Sequence, residues 1–187
     1  KKISLENKFA ISISHTTRKP RSKEENGKDY FFISSEKFKK LIEDGKFLEY
    51  AKVFDNYYGS SKEIIINLLE NGENVIFDID WQGTQQIKEK KLNYKIFTIF
   101  ILPPSKEELY KRLMNREINN KEVVEARMKQ FKEDVLHWVE YDFVVINDEL
   151  EKCYSQILNF INQKNKIKNI KFYDKKLIKQ HVEILLN

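Results

Sequence analysis

The stretch N-V-I-F-D-I-D-W-Q-G, residues 74–83, decides the fold. Residues 75–77 are a short run of large apolar side chains, which is typical of a strand that is buried on both faces. The strand closes on two carboxylates, Asp78 and Asp80, which point to the same face of an extended chain and repel each other unless a cation or hydrogen-bond donors separate them. Capping of the next helix explains one of these carboxylates. Open α/β sheets bind their ligands at the carboxyl ends of such strands.

Strands and helices alternate on both sides of this stretch. The sequence predicts further strands over four apolar segments, 9–14, 29–33, 94–102 and 143–146. It predicts helices over the amphipathic segments 35–44, 61–71, 83–90, 105–115, 121–141 and 148–163. Such alternation is typical of a parallel sheet with helices packed on its faces. The aromatic segment 46–60 predicts a hairpin that breaks the alternation, which indicates an inserted substrate-binding subdomain.

The composition excludes several classes of protein. The chain of 187 residues is 41% hydrophobic and 34% charged, which suits one sizeable core and is too apolar for a disordered chain. Its longest uninterrupted apolar runs, Ile99–Leu102 and Phe143–Ile146, are too short to span a bilayer, so we expect no membrane partner. The single cysteine, Cys153, excludes an internal disulfide framework and a four-cysteine zinc site, and it predicts a reducing, cytoplasmic location.

The net charge of +5 is confined to the end of the chain. Residues 164–187 contain seven lysines and two acidic residues, whereas the preceding residues carry equal numbers of basic and acidic side chains. Because the main domain is neutral, we expect no nucleic-acid partner. The tail is interpreted as a solvated basic extension, with a binding patch as the alternative. Apolar residues at seven-residue spacing, Ile170, Leu177 and Ile184, leave open that the tail packs as a helix.

Arginine is rare in this chain. Five of the 34 basic residues are arginine, and they fall in two clusters: Arg18, Arg21, Arg112, Arg116 and Arg127. The planar guanidinium group binds phosphate or carboxylate through two parallel hydrogen bonds, which lysine cannot do. We therefore interpret the clusters as positions that require this geometry, with ordinary salt bridges as the alternative.

The first arginine cluster lies in the loop S-H-T-T-R-K-P-R, residues 14–21, after a predicted strand. Two guanidinium groups beside hydroxyl groups suit a phosphate dianion. Tyr30, Tyr57 and Tyr58 either donate hydroxyls to the same anion or pack as ordinary core residues. Glu49 lies between apolar residues in F-L-E-Y, a pattern that favours a solvent-facing strand position over a ligand-binding one.

Taken together and in this order, these segments closely resemble the guanylate kinase family. The matching stretches are S-x-S-H-T-T-R-x-P-R (12–21), N-G-x-D-Y-x-F (26–32), F-L-E-Y-A-x-V (47–53), N-Y-Y-G-S (56–60), D-I-D-W-Q-G (78–83), F-I-L-P-P-S (100–105), K-R-L-x-x-R (111–116) and V-I-N-D (145–148). The resemblance extends over about residues 9–163, and long motifs in the right order make it highly specific.

The resemblance implies a three-layer P-loop kinase fold of the α/β class, with a parallel-sheet core, an inserted mixed β subdomain that binds GMP, and a helical lid. We expect the chain to be divided into core (1–14, 68–104 and 136–163), GMP-binding subdomain (15–67), lid (105–135) and basic extension (164–187). The family transfers the γ-phosphoryl group of ATP to GMP or dGMP with Mg²⁺, giving ADP and GDP in purine nucleotide metabolism. We expect a monomer or a homodimer.

The resemblance also implies roles for individual residues. The GMP phosphate would be held by Arg18, Arg21, Tyr30 and Tyr58. The guanine would be read by Ser14, Glu49, Ser60 and Asp80. The residues on the ATP side would be Asp78 near the phosphates and the metal, Asn147 near the adenine, and Arg112, Arg116 and Arg127 from the lid.

One departure from the family's pattern concerns the phosphate-binding loop G-x-x-x-x-G-K-[ST], which these 187 residues do not contain. The 13 residues before Ser14 are too few for a strand, this loop and a helix. We therefore expect the loop to lie outside this chain, with residues 1–8 as the end of the helix that follows it. The missing loop favours an alternative, a guanylate-kinase-like protein-interaction module with a decayed ATP site. The presence of Asp78 and of the lid arginines counts against that alternative.

Overall fold

The computed structural model describes residues 9–117, 120–164 and 174–187. Within it the chain divides into two compact units, Lys1–Tyr94 and Lys95–Asn187. Segment 1–8, which we expected to be the end of a helix, lies outside the described residues. The division into core, GMP-binding subdomain and lid stays a prediction.

The first unit combines a parallel strand pair with a mixed sheet. Its strands are β1 (Phe9–Ile11), β2 (His15–Thr16), β3 (Phe31–Phe32), β4 (Phe47–Val53), β5 (Asn56–Ser61) and β6 (Asn74–Ile76). Its helices are α1 (Ser35–Glu43), α2 (Lys62–Glu70) and α3 (Trp81–Glu89). Strand β1 is parallel to β6, and the mixed sheet has the order β3-β2-β5-β4, with β5 antiparallel to both of its neighbours. The predicted hairpin over 46–60 is therefore confirmed.

The second unit is built on one parallel strand pair, β7 (Ile99–Leu102) and β8 (Phe143–Ile146). Its helices are α4 (Lys106–Arg116), α5 (Lys121–Asp134), α6 (Leu150–Lys164) and α7 (Lys175–Leu186). The helix predicted over 121–141 is α-helical only to Asp134, and residues Val135–Glu140 continue it as a tighter 3₁₀ helix. Among the described residues, no helix combines the length and the apolar content that crossing a bilayer requires.

Side-chain caps explain where most of the helices begin. The residue before a helix accepts a hydrogen bond from a backbone N–H of the first turn at Ser34, Ser61, Asp80, Ser105, Asn120 and Asp174. Because Asp80 is the cap of α3, this helix begins two residues before the predicted start at Gly83.

Several predicted strands are shorter in the structure. Segment 94–102 forms a strand only over Ile99–Leu102, because the N–H and the hydroxyl of Thr98 bind the Asp142 carboxylate, at 2.9 and 3.0 Å, rather than a strand carbonyl. The other segments that differ are 9–14, which forms a strand only over Phe9–Ile11, and 29–33, which forms one only over Phe31–Phe32. Strand β2, at His15–Thr16, lies in a segment that was predicted to be a loop. Apolar composition predicted the strands but not the side-chain hydrogen bonds that end them.

The C-terminal helix α7 is part of the hydrophobic core of the second unit. Its buried residues Ile178, Val182 and Leu185 follow the i, i+4, i+7 spacing of one helix face. They pack with residues of β7, the 3₁₀ helix and β8, namely Leu102, Val135, Trp138 and Val144. Nε2 of His181 also donates a hydrogen bond to the carbonyl oxygen of Pro103 at 2.8 Å.

The interpretation of the tail as a solvated extension is therefore wrong for residues 174–187. The residues at seven-residue spacing do not carry the packing, since Leu177 and Ile184 are 62% and 69% exposed. Ile170, the third of them, lies outside the described residues. Helix α7 has apolar side chains on two faces, and only the face that contains Leu185 meets the core.

Candidate active site

The loop that follows β2 brings both N-terminal arginines to one carboxylate. Oε1 of Glu24 lies 2.8 Å from Nη2 of Arg18 and 3.3 Å from Nη1 of Arg21. The other oxygen, Oε2, accepts the backbone N–H of Arg21 at 2.7 Å. The loop leaves β2 in a fixed direction because Thr17 and Tyr57 exchange two hydrogen bonds where the strands end.

Aromatic rings enclose the guanidinium group of Arg18. Its Cζ lies 5.4 Å from the ring centre of Tyr30 and 5.8 Å from that of Phe32, within the range of cation–π contacts. The rings of Tyr30 and Tyr58 meet edge to face, with their centres 6.1 Å apart. Burial lowers the pKa of Arg18, but interactions with Glu24 and Tyr58 raise it by more than burial lowers it. The pKa of Arg18 therefore lies above its ordinary value. The four residues that the resemblance assigned to the phosphate therefore lie together: the two tyrosines stand beside Arg18, and Glu24 joins Arg18 to Arg21.

Glu49 is buried, contrary to the solvent-facing position that its sequence pattern favoured. Its exposed fraction is 3%. A β-bulge between Phe47 and Glu49 interrupts the alternation of β4, so that residues 47–49 are buried in succession. The pairing of β4 with β5 sets Glu49 opposite Ser60. Ser14, which the resemblance also assigned to the guanine, is buried immediately before β2 in the same sheet.

The Glu49 carboxylate has an open hydrogen-bonding position. Neither its Oε1 nor Oγ of Ser60, both buried, has a hydrogen-bond partner of regular geometry among the described residues. Burial raises the pKa of Glu49 and the negative charge of Asp80 raises it further, while the hydroxyl and the N–H of Ser60 oppose this rise. A buried acceptor without a donor destabilises the protein. The carboxylate is therefore suited to a ligand that presents N–H donors.

Two residues of α3 that the sequence analysis did not single out lie against this part of β4. A Cβ atom at Gly83 would lie 2.5 Å from Oε2 and 3.2 Å from Cδ of Glu49, so the carboxylate occupies space that only glycine leaves free. Gln86 binds the peptide groups of Tyr50, the next residue of β4. Its Oε1 accepts the N–H at 3.1 Å, and its Nε2 donates to the carbonyl at 2.7 Å.

The two aspartates after β6 have different surroundings, contrary to the prediction that they share one strand face. Asp80 caps α3: its Oδ1 accepts the N–H of Gly83 at 2.9 Å, and its Oδ2 accepts from the amide of Gln82 at 3.0 Å. Asp78 is exposed and lies beyond Ile76, the last residue of β6. Capping explains Asp80, which leaves Asp78 as the carboxylate open to solvent.

A metal ion held by the protein alone does not fit this arrangement. The described residues contain no group of three or more His, Cys, Asp or Glu side chains that could hold one. Mg²⁺, however, is commonly bound through one or two carboxylates together with substrate phosphates, and it keeps several of its waters. The exposed carboxylate of Asp78 fits a Mg²⁺ ion of this kind.

In the second unit, Arg112 of α4 lies beside the residue that follows β8. Its Nε lies 2.8 Å from Oε1 of Glu108, and its Nη1 donates to the carbonyl oxygen of Asn147 at 3.0 Å. The N–H of Asn147 in turn donates to the carbonyl of Leu102, at the end of β7, at 2.8 Å. Two of the residues assigned to ATP, Arg112 and Asn147, are therefore in contact.

The other two arginines of this unit share a second glutamate. Nε of Arg116 and Nε of Arg127 lie 3.3 and 3.2 Å from Oε1 of Glu117. Arg116 ends α4 and Arg127 lies on α5, so one carboxylate joins the two helices. Closure of these helices over a nucleotide stays a prediction.

All five arginines are thus bound to glutamates: Glu24, Glu108 and Glu117. The sequence analysis missed these three residues, although each lies within ten positions of an arginine it binds. The first unit contains the residues assigned to GMP together with Asp78, and the second contains the lid arginines and Asn147.

Comparisons with known proteins agree with one another. A family model described as guanylate kinase matches residues 3–164. The chain is 46% identical over 159 residues to the guanylate kinase of Rickettsia prowazekii, a match that covers 85% of this chain and 80% of the relative. It is 42% identical over 167 residues to the guanylate kinase of Rickettsia bellii, covering 89% of this chain and 86% of that relative.

A solved structure gives the same result at the level of the fold. The crystal structure of guanylate kinase from Anaplasma phagocytophilum matches with a TM-score of 0.73 and 33% sequence identity. The match covers 87% of this chain and 79% of that chain.

Proposed function

The chain belongs to the guanylate kinase family, and we propose that it transfers the γ-phosphoryl group of ATP to GMP or dGMP, giving ADP and GDP. The family identification and the α/β P-loop kinase fold that the sequence predicted are confirmed. The acceptor nucleotide would bind in the first unit, and the second unit would supply the ATP-side residues.

One observation carries the acceptor half of the proposal: Tyr58 and Ser60 lie two residues apart on β5. Side chains at i and i+2 of a strand point to the same face, about 7 Å apart. Tyr58 stands beside Arg18, and Ser60 stands opposite Glu49. A cationic cluster and a buried carboxylate thus lie on one face at a separation comparable to that between the phosphate and the base of a nucleoside monophosphate.

The buried carboxylate suits guanine. Guanine presents N1–H and the 2-amino group as adjacent donors, and Oε1 of Glu49 is a buried acceptor without a partner among the described residues. Adenine has a lone pair at N1 and no 2-amino group, so it would leave the carboxylate unpaired. A site built to bind a particular polar edge can reject an analogue that lacks it by about 10⁴–10⁵.

The cationic cluster suits the phosphate of the same nucleotide. Arg18 and Arg21 offer planar guanidinium groups, and Tyr30 and Tyr58 offer hydroxyl donors around them. These groups would neutralise the acceptor phosphate, which otherwise repels the phosphates of ATP. The acceptor oxygen is already anionic, so the protein needs no general base to activate it.

The ATP side of the proposal rests on the second unit. Arg112, Arg116 and Arg127 would bind the phosphates and the transferring group, and Asn147 would lie near the adenine. Lid closure would bring the guanidinium groups to the charge that develops on the transferring phosphoryl group and would exclude water. Mg²⁺, held by ATP and by Asp78, would neutralise charge on the β- and γ-phosphates.

We also propose that the enzyme works in the cytoplasm, without a nucleic-acid partner, as a monomer or a homodimer. The free thiol of Cys153 is buried, and it suits a reducing compartment. The neutral charge balance of residues 1–163 argues against a polyanionic partner.

A second candidate function is a guanylate-kinase-like protein-interaction module. The observation that favours it is the absence of G-x-x-x-x-G-K-[ST] from these 187 residues. In such a module the cluster around Arg18 would bind an anionic peptide instead of a nucleotide. The buried Oε1 of Glu49, which has no hydrogen-bond partner among the described residues, counts against this role, because a peptide phosphate gives it no donor.

Calorimetric binding and phosphoryl transfer together test the proposal. The chain should bind GMP and dGMP in titration calorimetry and should bind AMP at least about 10²-fold more weakly, because only guanine supplies both donors. The full-length protein with ATP and Mg²⁺ should then convert GMP to GDP in an assay of ADP release. GMP binding without transfer by the full-length protein would support the interaction module. Equal affinity for GMP and AMP would contradict both the proposed GMP kinase activity and the proposed guanine-binding site.

A further inference from the structure

Glu24 joins the two arginines of the acceptor loop at a single oxygen atom. Its Oε1 lies 2.8 Å from Nη2 of Arg18 and 3.3 Å from Nη1 of Arg21. Two guanidinium groups this close repel each other, and a carboxylate between them offsets the repulsion. The three side chains are mostly buried, with 12%, 26% and 17% exposed for Arg18, Arg21 and Glu24, so solvent screens these interactions only partly.

The carboxylate itself is fixed by the backbone of the loop. Oε2 of Glu24 accepts the N–H of Arg21 at 2.7 Å, and the N–H of Glu24 donates to the carbonyl of Arg21 at 3.0 Å. These two bonds close a turn of four residues. The Glu24 carboxylate therefore cannot leave the arginines without breaking its hydrogen bond with the N–H of Arg21.

Arg18 is held from its remaining sides as well. Its Nη1 donates to the carbonyl of Lys19 at 2.7 Å, and its guanidinium plane lies near the rings of Tyr30 and Phe32. An arginine free in solution would lose rotamer freedom on binding a phosphate. In this loop most of that ordering is complete before any ligand arrives.

We propose that Glu24 is a positioning residue, which holds the guanidinium groups of Arg18 and Arg21 in the arrangement that receives the acceptor's phosphate. The inference rests on the proposed function for the identity of the ligand. In the opposite role, the Glu24 carboxylate would compete with the ligand: it would occupy the position of the phosphate, and the phosphate would have to displace it. The hydrogen bond from the Arg21 N–H to Oε2 of Glu24 favours positioning, because a displaced carboxylate would have to give it up.

The two roles predict opposite changes in affinity, and the phosphate contribution can be isolated by comparing GMP with guanosine. Titration calorimetry would be carried out on the full chain and on Glu24→Ala, Glu24→Gln and Glu25→Ala. Glu25 is the matched control, since its carboxylate is 64% exposed and binds Lys28 instead of an arginine. Thermal unfolding of each variant checks that the fold is retained.

For a positioning residue, Glu24→Ala weakens GMP binding by about tenfold or more and leaves guanosine binding within about twofold, because only the phosphate contacts lose their geometry. Glu24→Gln recovers part of the loss, since its amide oxygen can still accept from both guanidinium groups. Glu25→Ala changes neither affinity by more than about twofold.

Tighter GMP binding by Glu24→Ala would identify a competitor and overturn the inference. Unchanged GMP binding, or a parallel loss of GMP and guanosine binding, would also overturn it, because neither is specific to the phosphate. If the unsubstituted chain itself bound GMP no better than guanosine, the proposed function would fail at the acceptor site, and the inference would fail with it.

Discussion

Replacing Leu185 by alanine tests whether the C-terminal helix is a core element. Leu185 is 1% exposed and packs in one cluster with Leu102, Val135 and Val182. Leucine-to-alanine changes at such positions remove apolar contacts and leave a cavity, which costs about 2–5 kcal/mol. A chain of this size loses about 2–4 °C of Tm for each kcal/mol. A loss of about 3 kcal/mol therefore predicts a Tm that is lower by about 6–12 °C.

The neighbouring residue provides the control. Ile184 is 69% exposed on the same helix, so Ile184→Ala should change the free energy of unfolding by less than about 0.5 kcal/mol. Unfolding is best followed by the fluorescence of Trp138, which is buried in the same cluster as Leu185. A Trp81→Phe background removes the other tryptophan, which lies in the first unit.

The pair of variants decides which face of α7 is buried. If Ile184→Ala were as destabilising as Leu185→Ala, or more so, the helix would face the core with the residues at seven-residue spacing, and the packing described here would be refuted. If neither variant mattered, the tail would be the solvated extension that the sequence suggested.

Three further predictions concern the acceptor site. Gly83→Ala should raise KM for GMP about tenfold or more and leave KM for ATP unchanged, because the added methyl group meets the Glu49 carboxylate; the exposed Gln85→Ala on the same helix is the control. Glu49→Gln should stabilise the unliganded protein by about 1 kcal/mol at pH 7, and this gain should disappear on acidification. The sign follows from the raised pKa of Glu49: the unsubstituted protein becomes more stable as the pH falls through that pKa, which urea titrations at several pH values would measure. Arg18→Lys should raise KM for GMP about tenfold despite the retained charge, because lysine lacks the planar guanidinium that can bind Glu24 and a phosphate together. Activity of this variant within about threefold of the unsubstituted protein would contradict the interpretation that the arginine clusters require guanidinium geometry.

The sequence singled out the residues of the candidate acceptor site by their chemical type, and their roles toward a nucleotide stay predictions. Arginine in place of lysine marked positions where a planar guanidinium could bind carboxylate or phosphate. In the structure all five arginines lie beside glutamates, which is the ordinary salt bridging that the sequence analysis left open as the alternative. The motif order then identified the family. Which glutamate binds each arginine could not be predicted, because Glu24 and Glu25 are adjacent and only the turn at Arg21 distinguishes them.

Burial was harder to predict than chemistry. Glu49 was expected to face solvent because strand residues alternate, but the bulge in β4 buries three successive residues. Helix α7 has apolar residues on two faces, so its sequence alone could not show that Leu185 faces the core and Ile184 faces solvent. Both outcomes depend on contacts between segments that are distant in sequence.

The choice of base tests the central claim most directly, because it asks whether Glu49 reads guanine. Steady-state assays of the full-length protein and of Glu49→Gln would compare GMP, dGMP, IMP and AMP as acceptors. The account predicts that GMP and dGMP are accepted, that IMP is poor for lack of the 2-amino group, and that kcat/KM for AMP is lower than for GMP by about 10⁴ or more. Glu49→Gln should lose activity with GMP and narrow the gap between GMP and IMP. Efficient phosphorylation of AMP by the unsubstituted enzyme, or an unchanged preference for GMP in Glu49→Gln, would show that guanine is read elsewhere.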